Sequence, residues 1–210
     1  MRRNGRSRYV ALIAAGALLA TAGCNEESTE PVENLDGLAF SYSGALSGSY
    51  DGEGNVPAIG SNGRPEFGSW SVARPDSLGG LVIVGFDPTD TDVGDLFILQ
   101  LDDIREGVWE PCGILAGGGC HGRFIVGVVL TELATAQDAF EMASGRVEIT
   151  EATDTRIRGI FEATFTSGDG NRTISVTEGV IDVPFTDERS LANGLSCLAR
   201  NLENGTNEPC

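Results

Sequence analysis

The sequence has 210 residues, with 31 acidic and 14 basic side chains and a formal net charge of −17. Every basic residue is arginine and His121 is the single histidine, so Schiff-base lysine chemistry, a P-loop and a two-histidine zinc protease helix are all excluded. A chain this acidic also lacks the basic surface that nucleic-acid binding requires, and we expect no nucleic-acid partner.

Residues 1–23 have the pattern of an export signal peptide. Arginines stand at positions 2, 3, 6 and 8, and the stretch from Tyr9 to Ala22 carries no charge. A transmembrane anchor is the alternative, but this stretch of about 14 residues is shorter than the roughly 20 that a bilayer-spanning helix needs.

The end of this segment, Thr21-Ala22-Gly23-Cys24, resembles the lipobox of bacterial lipoprotein precursors, although the family prefers leucine where this chain has Thr21. The resemblance implies that the leader is cut before Cys24 and that this cysteine carries acyl chains. Two or three chains give stable membrane attachment. The membrane is therefore an expected partner, through lipidated Cys24, and we expect a cell-envelope protein, most simply at the outer membrane.

An acidic, flexible tether is predicted over residues 24–37. Loss of residues 1–23 removes four arginines and no acid, which takes the formal charge from −17 to −21. The stretch from Asn25 to Asp36 is rich in glutamate and poor in apolar residues, a composition that does not order by itself. The acidic run also resembles the surface-export signal of some lipoproteins, and the periplasmic and surface faces both stay open.

Residues 38–186 predict one β domain. Apolar runs separated by glycine occur throughout, which is typical of short strands and turns. Leu81–Phe86, Leu96–Leu99 and Phe124–Leu130 are continuous apolar runs that indicate strands covered on both faces. Phe40–Tyr50 and Phe67–Ala73 read as weaker strands, broken by glycine.

The alternation of apolar and polar residues is clearest from Gly145 to Phe185. It predicts strands on both sides of a loop at Glu151–Thr155, a turn at Ser167–Asn171 and a two-residue hairpin at Glu178-Gly179. A five-residue loop at Glu151–Thr155 would place Ile149 opposite Ile157, and Glu148 opposite Arg158 on the outer face.

The fold class predicted from these patterns is all-β and mainly antiparallel, a single β-sandwich or barrel-like meander with at most one or two short helices. Thr131–Ala139 has the one helix pattern in the domain, and Ser190–Leu202 offers a further turn or two. The order of motifs from Ser41 to Ser49 onward is similar to that of small β-rich bacterial lipoproteins of uncharacterised function. That resemblance implies a fold and a location but no catalytic residues.

Four cysteines remain in the body, and export makes disulfides permissible. Of the three pairings available, we expect the local one, Cys112 with Cys120 and Cys197 with Cys210, which would staple the tail at residues 187–210. A zinc site is the alternative, but the spacings lack the short C-x₂₋₄-C pairs of such sites.

Several residues could carry chemistry. His121 follows Cys120 in a glycine-rich turn and is predicted to be an ordinary exposed loop histidine. The acids of the loop from Asp87 to Asp95 could hold calcium, but their spacing does not match the twelve-residue calcium loop, so solvated turn acids are expected and calcium binding stays open. Trp70 and Trp109 are expected in the core, with a sugar-stacking platform as the alternative.

The function predicted is therefore that of a lipid-anchored binding or structural module, without catalytic residues, metal or cofactor, and with a protein or glycan partner in the envelope. The alternative is a carboxylate-dependent hydrolase of envelope or extracellular glycans, which would need two acids in one cleft, one of them desolvated. Strand alternation instead places the acids at three positions on the outer face: Glu148, Glu162 and Asp182.

Overall fold

The computed structural model describes residues 37–57, 68–76, 78–90, 93–113, 119–129 and 136–186. Ten strands and no helix occur in these ranges. The strands are β1 (Gly37–Gly44), β2 (Gly48–Glu53), β3 (Trp70–Pro75), β4 (Leu81–Pro88), β5 (Val93–Leu101), β6 (Gly107–Cys112), β7 (Cys120–Val129), β8 (Asp138–Ala152), β9 (Arg156–Ser167) and β10 (Thr173–Pro184).

The strands form one antiparallel sheet in the order β2-β1-β10-β9-β8-β7-β5-β4-β3, which is nearly closed into a barrel-like shape. The long strand β8 pairs on one side with β9 along most of its length, and on the other with β7 and then with β6. The all-β antiparallel class predicted from the sequence is confirmed, in its barrel-like form.

Two serine hydroxyls connect β2 with the start of β3, the two strands at the ends of the sheet order. Ser71 Oγ, which is fully buried, donates to the carbonyl oxygen of Gly52 at 2.7 Å. Ser69 Oγ donates to the Asp51 carbonyl and accepts from the Glu53 amide, both at 2.9 Å. These bonds satisfy edge groups that a regular ladder would otherwise pair.

Aromatic rings fill the interior of the sheet. Phe40 lies at the centre, stacked on Tyr50 with ring centroids 4.8 Å apart and in contact with Phe97, Phe124 and Phe161 at 5.1–5.6 Å. All five rings are buried. Such packing contributes both burial and ring-pair energy, and it leaves the interior at this level occupied by side chains.

The wall formed by β3, β4, β5 and β7 is buried on both faces, as the continuous apolar runs predict. Alternate residues of β4, such as Leu81 and Ile83, join the interior core. The residues between them join a second cluster on the opposite face, whose members are Trp70, Val72, Val82, Val84, Phe86, Leu96, Ile125 and Val128.

The register predicted between β8 and β9 is wrong. Strand β8 continues through Ala152, Ile149 lies opposite Gly159, and Arg158 lies opposite Glu151. The cause is a bulge between Ile149 and Glu151, because one extra residue on a strand shifts every later partner. The position opposite Arg158, predicted for Glu148, is taken by Glu151, whose Oε2 lies 3.3 Å from Arg158 Nη1.

The hairpin predicted at Glu178-Gly179 is also wrong, because β10 runs through both residues to Pro184. A bulge between Val176 and Gly179 takes the place of the turn. A Cβ at Gly179 would overlap the Phe161 ring across the strand pair, so this glycine makes room for an aromatic side chain rather than for a turn. The turn predicted at Ser167–Asn171 is confirmed.

The helix predicted over Thr131–Ala139 is contradicted at its described end, where Asp138 and Ala139 begin β8 and pair with β7. Phe140 is buried as a strand residue, so its packing decides the conformation over local propensity. The helical turns expected at Ser190–Leu202 lie outside the described residues, as do Cys24, Cys197 and Cys210. Within the described ranges, no helix is long and apolar enough to cross a membrane.

Candidate functional site

A cleft of about 520 Å³ lies at the end of the barrel where β3 leads into β4 and β5 leads toward β6. Polar side chains, glycine backbone and the disulfide line it, with one fully exposed leucine among them. The lining residues are Asp76, Leu78, Gly80, Gln100, Leu101, Asp102, Gly113, Gly119, Cys120 and His121.

The disulfide between Cys112 and Cys120 is present, as predicted, and it joins the end of β6 to the start of β7. The Gly113 amide donates to the Cys120 carbonyl at 2.9 Å, and the Asp102 amide donates to the Gly119 carbonyl at 2.8 Å. These bonds and the disulfide fix the strand ends that form one side of the cleft.

Two aspartates hold the polar rim of the cleft in place. Asp76 Oδ1 accepts from the amides of Leu78 and Gly80, at 2.7 and 2.8 Å, and so shapes the turn between β3 and β4. Asp102 Oδ1 accepts from the indole nitrogen of Trp109 at 2.8 Å. Among the described residues, the hydrogen bonds of each carboxylate use only one of its two oxygens.

His121 lies in β7, opposite Gln100 of β5, with its side chain exposed. It is thus in a strand and not in the glycine-rich turn inferred from the sequence, but the prediction that it is exposed is confirmed. It forms no hydrogen bond with a serine, cysteine or carboxylate in the described part of the chain, so the geometry of a nucleophile and its base is not built here.

A pair of inward-facing acids lies at the opposite end of the barrel. Asp87 and Asp95 are direct cross-strand partners on β4 and β5, and they follow the alternation of the interior residues Ile83 and Phe97. Asp95 is only 4% exposed. The expectation that the acids of this loop are solvated is therefore wrong for Asp95, and Asp87 is itself partly buried.

Burial raises the pKa of both carboxyl groups, and the charge of Asp87 raises that of Asp95 further. Backbone donors oppose the shift: the Asp51 amide donates to Asp87 Oδ2 at 3.0 Å, and the Gly127 amide donates to Asp95 Oδ1 at 2.9 Å. Burial is the larger effect in each case, since the net shift of each pKa is upward.

Two tyrosines accompany this pair. Burial raises the pKa of the Tyr50 hydroxyl well above its ordinary value, and the charges of Asp87 and Asp95 add to the shift. No described residue makes a hydrogen bond of normal geometry with the Tyr50 hydroxyl, although the Phe97 amide is close enough to lower its pKa slightly. The pKa of the Tyr42 hydroxyl is raised by the same causes.

The acids expected on the outer face of β8, β9 and β10 are in a different environment. Asp182 points outward as predicted but is only 8% exposed, because Arg156 and Arg158 cover it. Arg156 Nη2 donates to Asp182 Oδ2 at 2.6 Å, and Arg158 Nε donates to Oδ1 at 3.1 Å. Burial alone would raise the pKa of Asp182, but the two arginines outweigh it and hold the pKa below its ordinary value.

Trp70 and Trp109 are 2% and 3% exposed, so the prediction that they belong to the core is confirmed and a sugar-stacking platform at either is excluded. No grouping of three or more histidine, cysteine or acidic side chains suited to a metal ion occurs among residues that the structure describes. No protein-family profile, curated protein or solved structure matches the chain.

Sequence reasoning named His121 and Cys120 but did not connect them with Asp76 and Asp102. These residues come from three separate loops and strands, and only the sheet order brings them together. The Asp-x-x-x-Gly spacing of Asp76 and Gly80, which marks a tight aspartate-capped turn, was the one local signal available.

Proposed function

We propose that the mature protein is a lipid-anchored envelope lipoprotein whose barrel-like domain acts as a binding module, and that the cleft beside the Cys112–Cys120 disulfide is its binding face. The observation that carries this proposal is the cleft itself, which combines open volume, acceptor oxygens and a rigid disulfide-linked rim. Ligand sites have this combination of concave shape and a few converging polar groups.

The interior of the barrel supports the same assignment by contrast. Phe40 and its neighbouring rings occupy the space that a ligand-carrying barrel leaves open. Binding is therefore assigned to the end of the barrel, where chain ends and loops shape the surface.

The chemistry of the cleft favours a partner with several hydrogen-bond donors. Asp76, Asp102 and the side-chain oxygen of Gln100 are acceptors, and Leu78, 93% exposed, offers an apolar contact at the rim. A glycan, or a protein segment with hydroxyl or amine groups, presents such donors. An anionic partner is disfavoured, because the acidic chain would repel it.

The hydrolase alternative has one feature in its favour, the pair of acids with raised pKa at Asp87 and Asp95. A substrate must touch both carboxyl groups. Asp95 at 4% exposed is closed to a sugar ring in this conformation, and the open cleft lies at the other end of the barrel. Binding is accordingly the function we propose.

Cell fractionation tests the lipid anchor. The Cys24→Ser chain should be found in the soluble fraction, whereas the unaltered chain should fractionate with membranes and show the added mass of acyl chains at Cys24. Membrane association that persists in the Cys24→Ser chain would contradict the lipoprotein assignment.

Site-specific photocrosslinking in native envelopes tests the binding face. A photoreactive residue at Leu78 should give a discrete crosslinked partner. The same residue at Ile160, another exposed hydrophobic position at 49% but on the outer face of β9, serves as the matched control. Equal crosslinking from both positions, or none from Leu78, would contradict the assignment of the cleft.

A further inference from the structure

We propose that Asp87, Asp95 and the Tyr50 hydroxyl form a binding site for a hard divalent cation, calcium by its ligand chemistry, at the end of the barrel opposite the cleft. This site is independent of the proposed binding face. It consists of two acids and a buried hydroxyl that do not line the cleft.

The two carboxylates are held at a spacing that suits a shared ion. Direct cross-strand neighbours have Cβ atoms about 4.5–5.5 Å apart, and Asp87 and Asp95 are such neighbours on the interior face. Each carboxylate has one oxygen fixed by a backbone amide, from Asp51 and Gly127 respectively. The other oxygen of each has no donor among the described residues, so two preoriented oxygens remain for an ion.

The Tyr50 hydroxyl is the second and separate observation. It belongs to a side chain that is 1% exposed, and within the described ranges it forms no hydrogen bond of normal geometry. The hydroxyl oxygen lies 2.7 Å from the position that a Cβ on Gly85 would occupy. Gly85 is the inward-facing residue of β4 that directly precedes Asp87 in the alternation of that strand. A buried hydroxyl without a partner costs free energy, and an ion between it and the carboxylates would give its oxygen a partner.

No arginine among the described residues compensates these acids. Neither Asp87 nor Asp95 forms an ion pair in the described part of the chain, whereas Asp182 has two arginine partners. Asp51 and Asp90 are exposed acids on the adjoining β2 and β4–β5 turn, so the local field attracts cations. A buried acid pair without countercharge must take up either a proton or a cation.

The ligand set selects the class of ion. All the available atoms are oxygens, which hard cations prefer, and calcium accepts irregular coordination completed by water. The two carboxylates would balance the charge of a divalent ion. Partly buried Asp87 gives the ion a path from solvent, and Tyr42, whose pKa responds to both acids, places a second hydroxyl nearby.

Thermal unfolding and terbium luminescence test the site on the purified protein. After removal of metal by chelator, millimolar calcium, the range for extracellular calcium modules, should raise Tm by about 5 °C or more. Terbium should bind in place of calcium with luminescence sensitised through Tyr50. The Asp95→Asn chain should lose both responses, and Tyr50→Phe should lower the luminescence several-fold while its Tm still rises with calcium.

Asp154→Asn is the matched control, because Asp154 is an exposed acid in the β8–β9 turn at the other end of the barrel, and it should leave both responses unchanged. If calcium leaves Tm unaltered, or raises it equally in the Asp95→Asn chain, the cation site is refuted and the acid pair holds a proton instead.

Discussion

Two buried aspartates in the same sheet have opposite electrostatic environments. Asp182 lies on the outer face of β10, 8% exposed, with the guanidinium groups of Arg156 and Arg158 in contact. Asp95 lies on the inner face of β5, 4% exposed, beside a second acid and two tyrosines. Burial acts on both, yet the pKa of Asp182 is lowered and that of Asp95 is raised.

The difference shows that partner charge, and not depth, decides what a buried acid does here. Asp182 has a structural role, because its charge is neutralised by Arg156 and Arg158 and these ion pairs link β10 to β9. Asp95 keeps an unsatisfied preference for a proton or a cation, which is the property of a binding group.

The largest change in stability is expected from substitution of Asp182, the acid that two arginines compensate. Asp182→Ala leaves two arginines without their shared partner, and both are about a third exposed, so they partly rehydrate and the loss is less than for a fully buried pair. Urea unfolding at neutral pH should show a stability loss of about 2 kcal/mol. Glu178→Ala, at an exposed acid of the same strand, should change it by less than about 0.5 kcal/mol.

Removal of the Asp95 charge should change the free energy of unfolding in the opposite direction. Asp95→Asn keeps an oxygen for the Gly127 amide and removes a buried negative charge beside Asp87. In chelator at neutral pH, we expect a gain of about 1 kcal/mol in urea unfolding. A loss as large as that of Asp182→Ala would show that Asp95 is compensated after all.

The smallest effect is expected at Tyr50. Tyr50→Phe removes a buried hydroxyl that makes no hydrogen bond of normal geometry in the described part of the chain, and it keeps the ring stacked on Phe40. Under the same chelated conditions, stability should rise by about 0.5 kcal/mol. Phe40→Tyr serves as the reverse test, because a new hydroxyl in the aromatic interior should destabilise the fold.

The strands were predictable from the sequence wherever one face is polar. Residues such as Ile157, Ala163 and Phe165 alternate with polar neighbours, and all three are buried. The partner register was not predictable, because the bulges at Ile149/Glu151 and Val176/Gly179 insert residues that no periodic pattern reveals.

The sequence also did not predict that the side chains of Asp87 and Asp95 point into the barrel, for a related reason. Strand β4 is apolar at every position from Leu81 to Phe86, so alternation does not tell which face is the interior. The cleft depends on sheet order in the same way, since Asp76 and His121 are brought together only by β4 and β5 lying between their strands.

The pH dependence of stability in chelator tests the central contrast between the two acids most directly. The contribution of Asp182, whose pKa is lowered from 3.8, is present above pH 3.8 and lost as the pH falls through its lowered pKa. The contribution of Asp87 and Asp95, whose pKa values are raised from 3.8, is present below that pH and lost as the pH rises through their raised values.

Unfolding free energies should therefore fall on both sides of a maximum in mildly acidic solution. Asp95→Asn should reduce the fall toward neutral pH, and Asp182→Ala should reduce the fall toward strong acid. If Asp95→Asn leaves the slope on the neutral side unchanged, or if both substitutions alter the same side of the curve, the two acids do not have opposite electrostatic environments.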